Sequence, residues 1–341
     1  MLSYLTKKFI SVLATLLVAS FVVFALTEMT PGSVARKKLG QFALQSQVDF
    51  MDEQLGYNDP FYVRYSRWLG ILVGAIPDPI QDPKVGEALG RSFVDSRGNQ
   101  YFGNFGFSFQ SNQPVNDIIW KKLKNTAILA GVSFALIVPI SIFFGMLAGM
   151  REGSWYDRTI SIGGIIATSL PEFALGVFLV AIFSTGLGWL PGGSPLSEGG
   201  GGSIPIQFVM PVMVLVIYDS GYVIRMVRGS MTEVMASNYI RTAILKGMKM
   251  PRVVARHGLR NAMIAPFTVM MLQLNFLISG VVVTEMIFNF PGFGQLLLKA
   301  SLEKDVQMIE AATLISLVFA ILTQFISDIG YALLNPRIGL R

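Results

Sequence analysis

Residue types that carry chemistry are scarce in this 341-residue chain. It has no cysteine and a single histidine, His257. Thiolate nucleophiles, disulfides and cysteine-based metal sites are excluded, and one histidine cannot form a cluster. No GxxxxGK[ST] pattern occurs, so the chain does not hydrolyse nucleotide through a P-loop of its own. The run Glu198–Ser203 is rich in glycine but has no lysine and reads as a flexible external link. Met226, Met231, Met235, Met248 and Met250 are thioethers, so they read as packing and not as a metal site. What remains is a set of polar residues inside apolar segments: Glu172, Asp219, Gln273, Asn275 and Asp328. An ionisable group within a membrane span points to function. Glu172 and Asp219 are therefore candidates for a polar pathway, with pairing to Arg225 or to backbone as the alternative. Gln273 and Asn275 join the same candidate pathway or bond between helices. Asp328 reads as an interfacial residue.

The elements that must position these residues are set by the solvent. Hydrophobic residues make up 52% of the chain and charged residues only 14%, well below the quarter usual for a soluble domain. Mean hydropathy is +0.56. The net charge of +6 is not gathered into a patch with interleaved aromatics, which argues against nucleic acid. Six segments approach the roughly 20 apolar residues that a spanning helix needs. They are Phe9–Thr27, Ala127–Met150, Ile160–Leu187, Ile206–Val227, Ile264–Phe288 and Met308–Leu334. The first reads as a retained helix and not a cleaved signal, because no small-x-small site follows it. Lys and Arg concentrate at Lys7 and Lys8, at Arg151 and Arg158, between Arg228 and Arg260, and at Arg337 and Arg341. With six spans these regions share one side, so both termini are expected in the cytoplasm.

The predicted fold is an all-α integral membrane protein with six transmembrane helices and a large first external loop. The predicted divisions are an N-terminal helix (1–29), an external lobe (30–125) and a core of five spans (126–341) with a cytoplasmic loop at 229–263. Within the lobe, Pro60–Gly70 reads as an interfacial helix, carrying Tyr62, Tyr65, Trp68, Arg64 and Arg67. The tract Pro77–Gly103 reads as loop or short strands.

The basic loop Ser230–Asn261 reads as helix, glycine turn, helix. Ser230 and Glu233 have capping-box spacing, which predicts a helix from Met231 to about Lys246. Gly247 suits a left-handed C-terminal position. Pro251 suits the start of a second helix, Arg252–Asn261. Small Thr242 and Ala243 would admit a close partner. The alternative is a basic helix resting on anionic membrane lipid.

Here the chain resembles the permease subunits of binding-protein-dependent ABC importers of the peptide/nickel type. The resemblance is carried by Asn238-Tyr239-Ile240-Arg241-Thr242-Ala243-Ile244-Leu245-Lys246-Gly247, similar to that branch's EAA loop, and by Arg256–Ala262. Further blocks are Thr284–Phe288 with Pro291-Gly292-Phe293-Gly294, Tyr331–Arg337, Thr30-Pro31-Gly32, Leu55–Pro60, Gly153–Asp157 and Ser169–Phe173. Together they cover nearly the whole chain. The resemblance implies a heterodimer with a second permease, two cytoplasmic ATPase subunits that bind ATP and Mg, and an extracytoplasmic substrate-binding protein. It implies no cofactor in this chain and no catalytic residue. It also implies a coupling helix ending at Gly247, with Tyr239, Arg241, Thr242, Ala243, Lys246 and Gly247 as its contact residues. The expected cargo is a peptide or peptide-like solute, with oligosaccharides or opines as the alternative, and the expected location is a bacterial or archaeal cytoplasmic membrane. The sequence departs from the family where Gly103–Phe109 replaces the usual Asp-Leu-Gly before Ser-Phe, and the external segment near Pro77–Tyr101 is longer. An intramembrane enzyme lacks any nucleophile–base pair here. An ion-driven carrier would show internal repeats and broken helices, and no repeat is evident.

Overall fold

Hydrocarbon offers no water to backbone N–H and C=O groups, so apolar runs satisfy them internally as helices. The computed structural model describes residues 2–28, 34–40, 42–54, 56, 58–82, 98–108, 110–194 and 204–334. In chain order the first elements are α1 (Leu2–Glu28), α2 (Val34–Leu39), α3 (Gln45–Gln54), α4 (Phe61–Leu72) and an antiparallel pair, β1 (Phe107–Ser108) and β2 (Gln113–Pro114). Then come α5 (Val115–Met150), α6 (Trp155–Ser169), α7 (Glu172–Leu179), α8 (Ile204–Met235), α9 (Asn238–Leu245), α10 (Met250–Val253) and α11 (Leu259–Ala262). The last are α12 (Ile264–Gly280), α13 (Val282–Ile287), α14 (Phe293–Glu303) and α15 (Val306–Leu334). Among the described residues, five helical stretches are long and apolar enough to cross a membrane, counting α12 with α13 as one. The pair α6 and α7 makes a sixth if it is one span, bent by 98°. The chain is an all-α integral membrane protein.

Several sequence expectations need correction. The third span is not continuous over Ile160–Leu187, because Pro171 has no N–H and drives Leu170 to an extended ψ of 132°. Beyond α7 the helix widens to π-helical over Val180–Gly186. The fifth segment breaks at Val281 (φ −78°, ψ 67°), just after Gly280. The second span starts twelve residues early, at Val115, where a polar stretch with Asn116 and Asp117 joins the helix. The described part of Pro77–Gly103 is loop, one of the two forms expected there, with a 3₁₀ turn at Pro79–Gln81 capped by Asp78. Thr30–Gly32, Leu55, Tyr57, residues 83–97, Phe109, Glu198–Ser203, Asn335–Arg337 and Arg341 lie outside the described residues.

The chain packs as two compact units. One comprises Leu5–Lys124 and Gln295–Val318. In it, Phe24 of α1 is buried against Phe61, Tyr65 and Trp68 of α4, with ring centroids 5.4–5.6 Å apart. Ser20 and Tyr65 share a hydrogen bond of 2.8 Å, and Arg64 pairs with Glu28. A helix, α4, therefore stands where one was expected at Pro60–Gly70, fastened along the end of α1. A second core joins Ala35, Leu39, Val48, Ile80 and Phe107. Buried carboxylates tie this unit together: Glu310 accepts from Thr27 at 2.6 Å, and Asp305 accepts from Ser108 and from the Met308 N–H.

The other unit comprises Met1–Tyr4, Asn125–Gly294 and Phe319–Arg341. Its centre is α8, packed by α6, α7, α12 and α13. Leu129, Ile137, Leu215, Val223, Val227, Met270 and Leu277 form the main core. Close approach is obtained with glycine, as between helices in lipid generally. A Cβ on Gly221 of α8 would stand 2.8 Å from the Gly164 carbonyl of α6. On α5, a Cβ at Gly145 or Gly149 would run into Val227, Arg228 or Met231 of α8.

Candidate functional site

The loop 229–263 is built by local rules, though not at the residues first expected. The Ser230–Glu233 capping box is not used, because both residues lie inside α8, which runs on to Met235. The break falls at Ser237, whose backbone is extended (ψ 149°) and whose hydroxyl donates back to the Val234 carbonyl. Helix α9 then turns Ile240 (0% exposed) and Ala243 (8%) onto Val253 of α10, beside Met235 and Met248. The small side chain of Ala243 thus turns inward and packs within the chain. The opposite face carries Tyr239, Ile244 and Leu245, the last 79% exposed, with Arg241, Thr242 and Lys246 also exposed.

Gly247 ends α9 as expected, at φ +79°. Its N–H bonds the Ile244 carbonyl at 2.9 Å and the Met248 N–H bonds that of Ala243 at 3.3 Å. These two bonds form a Schellman closure, which needs the left-handed conformation that glycine adopts without a Cβ penalty. Pro251 then lies in the first turn of α10, and the helix continues through π-helical Val254–Gly258 into α11. Asn261 donates to the Tyr239 hydroxyl at 3.1 Å, so α11 holds that ring against α9.

One ion pair beneath this loop escaped the sequence reading. Arg228 of α8 forks onto Asp157 of α6, with Nη2 to Oδ2 at 2.8 Å. Asp157 also accepts from the Gly153 N–H at 2.9 Å and the Ser161 hydroxyl at 3.2 Å. The signal was Ser154-x-x-Asp157: Ser154 accepts from the Asp157 N–H and caps α6, while Asp157 reaches back one residue further, to the Gly153 N–H.

The candidate pathway residues are partly united. Gln273 of α12 donates to Asp219 Oδ1 at 2.7 Å. Asp219 is 1% exposed, midway along α8, and its Oδ2 has no hydrogen-bond partner among the described residues. Glu172 opens α7 and accepts from the Thr284 hydroxyl of α13. Among the described residues neither acid has an ion pair with Arg225, whose guanidinium lies over the Tyr222 ring at 5.9 Å. Asn275 stays apart, accepting from Ser279 of its own helix at 3.4 Å. Asp328 accepts from Gln324 one turn before it.

Thr284 and Glu285 were missed among the intramembrane polar residues, although an acid inside an apolar run was the available signal. Glu285 is fully buried and accepts from Thr126 Oγ1 of α5 at 2.5 Å. The same hydroxyl accepts from the Phe293 N–H at 2.7 Å, and Asn125 donates to the Pro291 carbonyl at 2.9 Å. A Cβ at Gly292 would collide with the Glu285 carboxylate. The turn Pro291-Gly292-Phe293-Gly294 is therefore clasped to α5, and Glu285 does structural work.

Comparison with known proteins agrees with this architecture. The family model for the binding-protein-dependent transport system inner membrane component matches residues 141–340, and that for the N-terminal part of such membrane components matches residues 1–100. The chain is 31% identical over 348 residues to the oligopeptide transport system permease protein AppB of Bacillus subtilis (strain 168), covering 99% of each. It is 32% identical over 341 residues to the glutathione transport system permease protein GsiC of Escherichia coli (strain K12), again covering 99% of each.

Proposed function

The chain belongs to the binding-protein-dependent transport system inner membrane components, as a peptide/nickel-type ABC permease of the cytoplasmic membrane, and we propose that it carries peptides or peptide-like solutes inward at the expense of ATP hydrolysed by separate subunits. Helix α9 is the observation that carries the coupling reading. It is short, anchored on one face by Ile240 and Ala243, and offers Tyr239, Arg241, Thr242, Ile244, Leu245 and Lys246 on the other. A helix so anchored moves with α8 as a lever when an ATPase groove grips its free face. Closure of two ATPases on ATP and Mg would then bias this permease and a second, homologous one between inward- and outward-facing states. The external lobe would receive a substrate-binding protein. The names of the relatives, which speak of oligopeptides and glutathione, support a peptide-like cargo.

Two substitutions test the coupling. Proline holds φ near −65°, so Gly247→Pro cannot keep the turn at +79°. Arg241→Glu reverses an exposed charge on the free face. In the complete importer each should lower ATP-driven uptake about ten-fold or more while the permease stays inserted in the membrane. Normal uptake by both variants would refute the assignment.

A further inference from the structure

We propose that Glu172 and Asp219 form an anionic receptor, at the meeting point of two broken spans, for a protonated amine on the transported solute. This assignment rests on the reading of the chain as the permease of a peptide importer.

Position comes first. Glu172 is the first residue after the 98° bend between α6 and α7, and its partner Thr284 lies just past the break between α12 and α13. At these breaks α6 and α12 end in C-terminal carbonyls while α7 and α13 begin, so Glu172 lies in the first turn of α7. Discontinuous helices of this kind build solute sites in membranes, because irregular backbone is tolerated only beside protein or a polar cavity. Both α7 and α13 pack on α8, which carries Asp219 at its middle.

Charge comes second. Among the described residues, Glu172 and Asp219 receive hydrogen bonds only from Thr284 and Gln273, neither of which is a cation. Among the described residues, none donates to the buried Asp219 Oδ2. A desolvated carboxylate with an empty acceptor site is costly, and an entering cation would offset that cost with a charge-assisted hydrogen bond. The ligand class follows from donor count. A divalent cation such as calcium takes six to eight oxygens. An ammonium offers three N–H donors, a demand that a few carboxylate oxygens can meet.

The test uses the whole importer in liposomes, with its ATPases and binding protein, and two probes: trialanine and N-acetyl-trialanine. Each is supplied at a concentration that saturates the binding protein. The unmodified importer should take up the free amine about ten-fold faster or more. In the Glu172→Gln/Asp219→Asn double variant, which keeps shape but not charge, the ratio should fall below about three-fold. If the double variant imports neither peptide, each single variant is scored by the same ratio. Asp219→Glu, which keeps the charge, should retain the preference.

An unchanged ratio in the neutralised variants would overturn the assignment and leave the peptide reading standing. So would equal uptake of both probes by the unmodified importer. Loss of the second permease from the purified double variant would also overturn it, since the acids would then be pairing with that neighbour. Import of neither probe by the unmodified complex would refute the peptide reading and the amine site with it.

Discussion

Gly221→Ala isolates the contact that holds α6 against α8. The new Cβ would stand 2.8 Å from the Gly164 carbonyl, 3.1 Å from Ala167 Cβ and 3.1 Å from Thr168 Cγ2. None of these is the far end of a flexible side chain, so rotamer changes cannot relieve the clash. An ordinary contact begins near 3.4 Å, and the helices must part by about 0.6 Å. Overpacking of this kind costs about 1–3 kcal/mol. Alanine for glycine in a helix interior returns up to about 1 kcal/mol. The control is Gly229→Ala on the same helix, where a Cβ meets nothing within 4 Å. Both variants gain the same propensity term, so their difference reads the clash alone, about 1–3 kcal/mol. Thermal unfolding of the purified protein should therefore place Gly221→Ala below Gly229→Ala by at least about 2 °C. Equal midpoints would refute the close-packing argument.

Two other perturbations follow from buried polar contacts. Arg228→Ala strands the Asp157 carboxylate, which is only 5% exposed, and should lower stability by about 1–3 kcal/mol. A double-mutant cycle with Asp157→Asn checks this: simple additivity would show that the pair contributes nothing. Thr126→Val removes a hydroxyl that both donates to Glu285 and accepts from the Phe293 N–H. With both groups buried, the loss should be about 2–4 kcal/mol in a denaturation midpoint, and a change within about 0.5 kcal/mol would show the clasp to be incidental.

Local chemistry was legible from the residues alone. Length and apolarity located the spans, and glycine and proline punctuated the loop after α8. The errors were local competitions. Ser230 and Glu233 matched a capping pattern but lay within a helix that simply continued, while Ser154, spaced likewise from Asp157, does cap one. Broken helices, expected of an ion-driven carrier, are present here in a chain of a different family, because the helix stops before Pro171 in one span and at Val281, after Gly280, in another.

The sequence by itself determined the solvent, the class of fold and the hinge at Gly247, since hydrophobicity, capping and left-handed turns act over a few residues. Only the tertiary structure decided which polar groups meet. Gln273 reaches Asp219 across 54 positions, Arg228 reaches Asp157 across 71 and Thr284 reaches Glu172 across 112. Such pairings depend on which faces of several helices pack together. No periodicity within one segment encodes that, so the free oxygen of Asp219 and the inward turn of Ala243 became visible only once the helices were assembled.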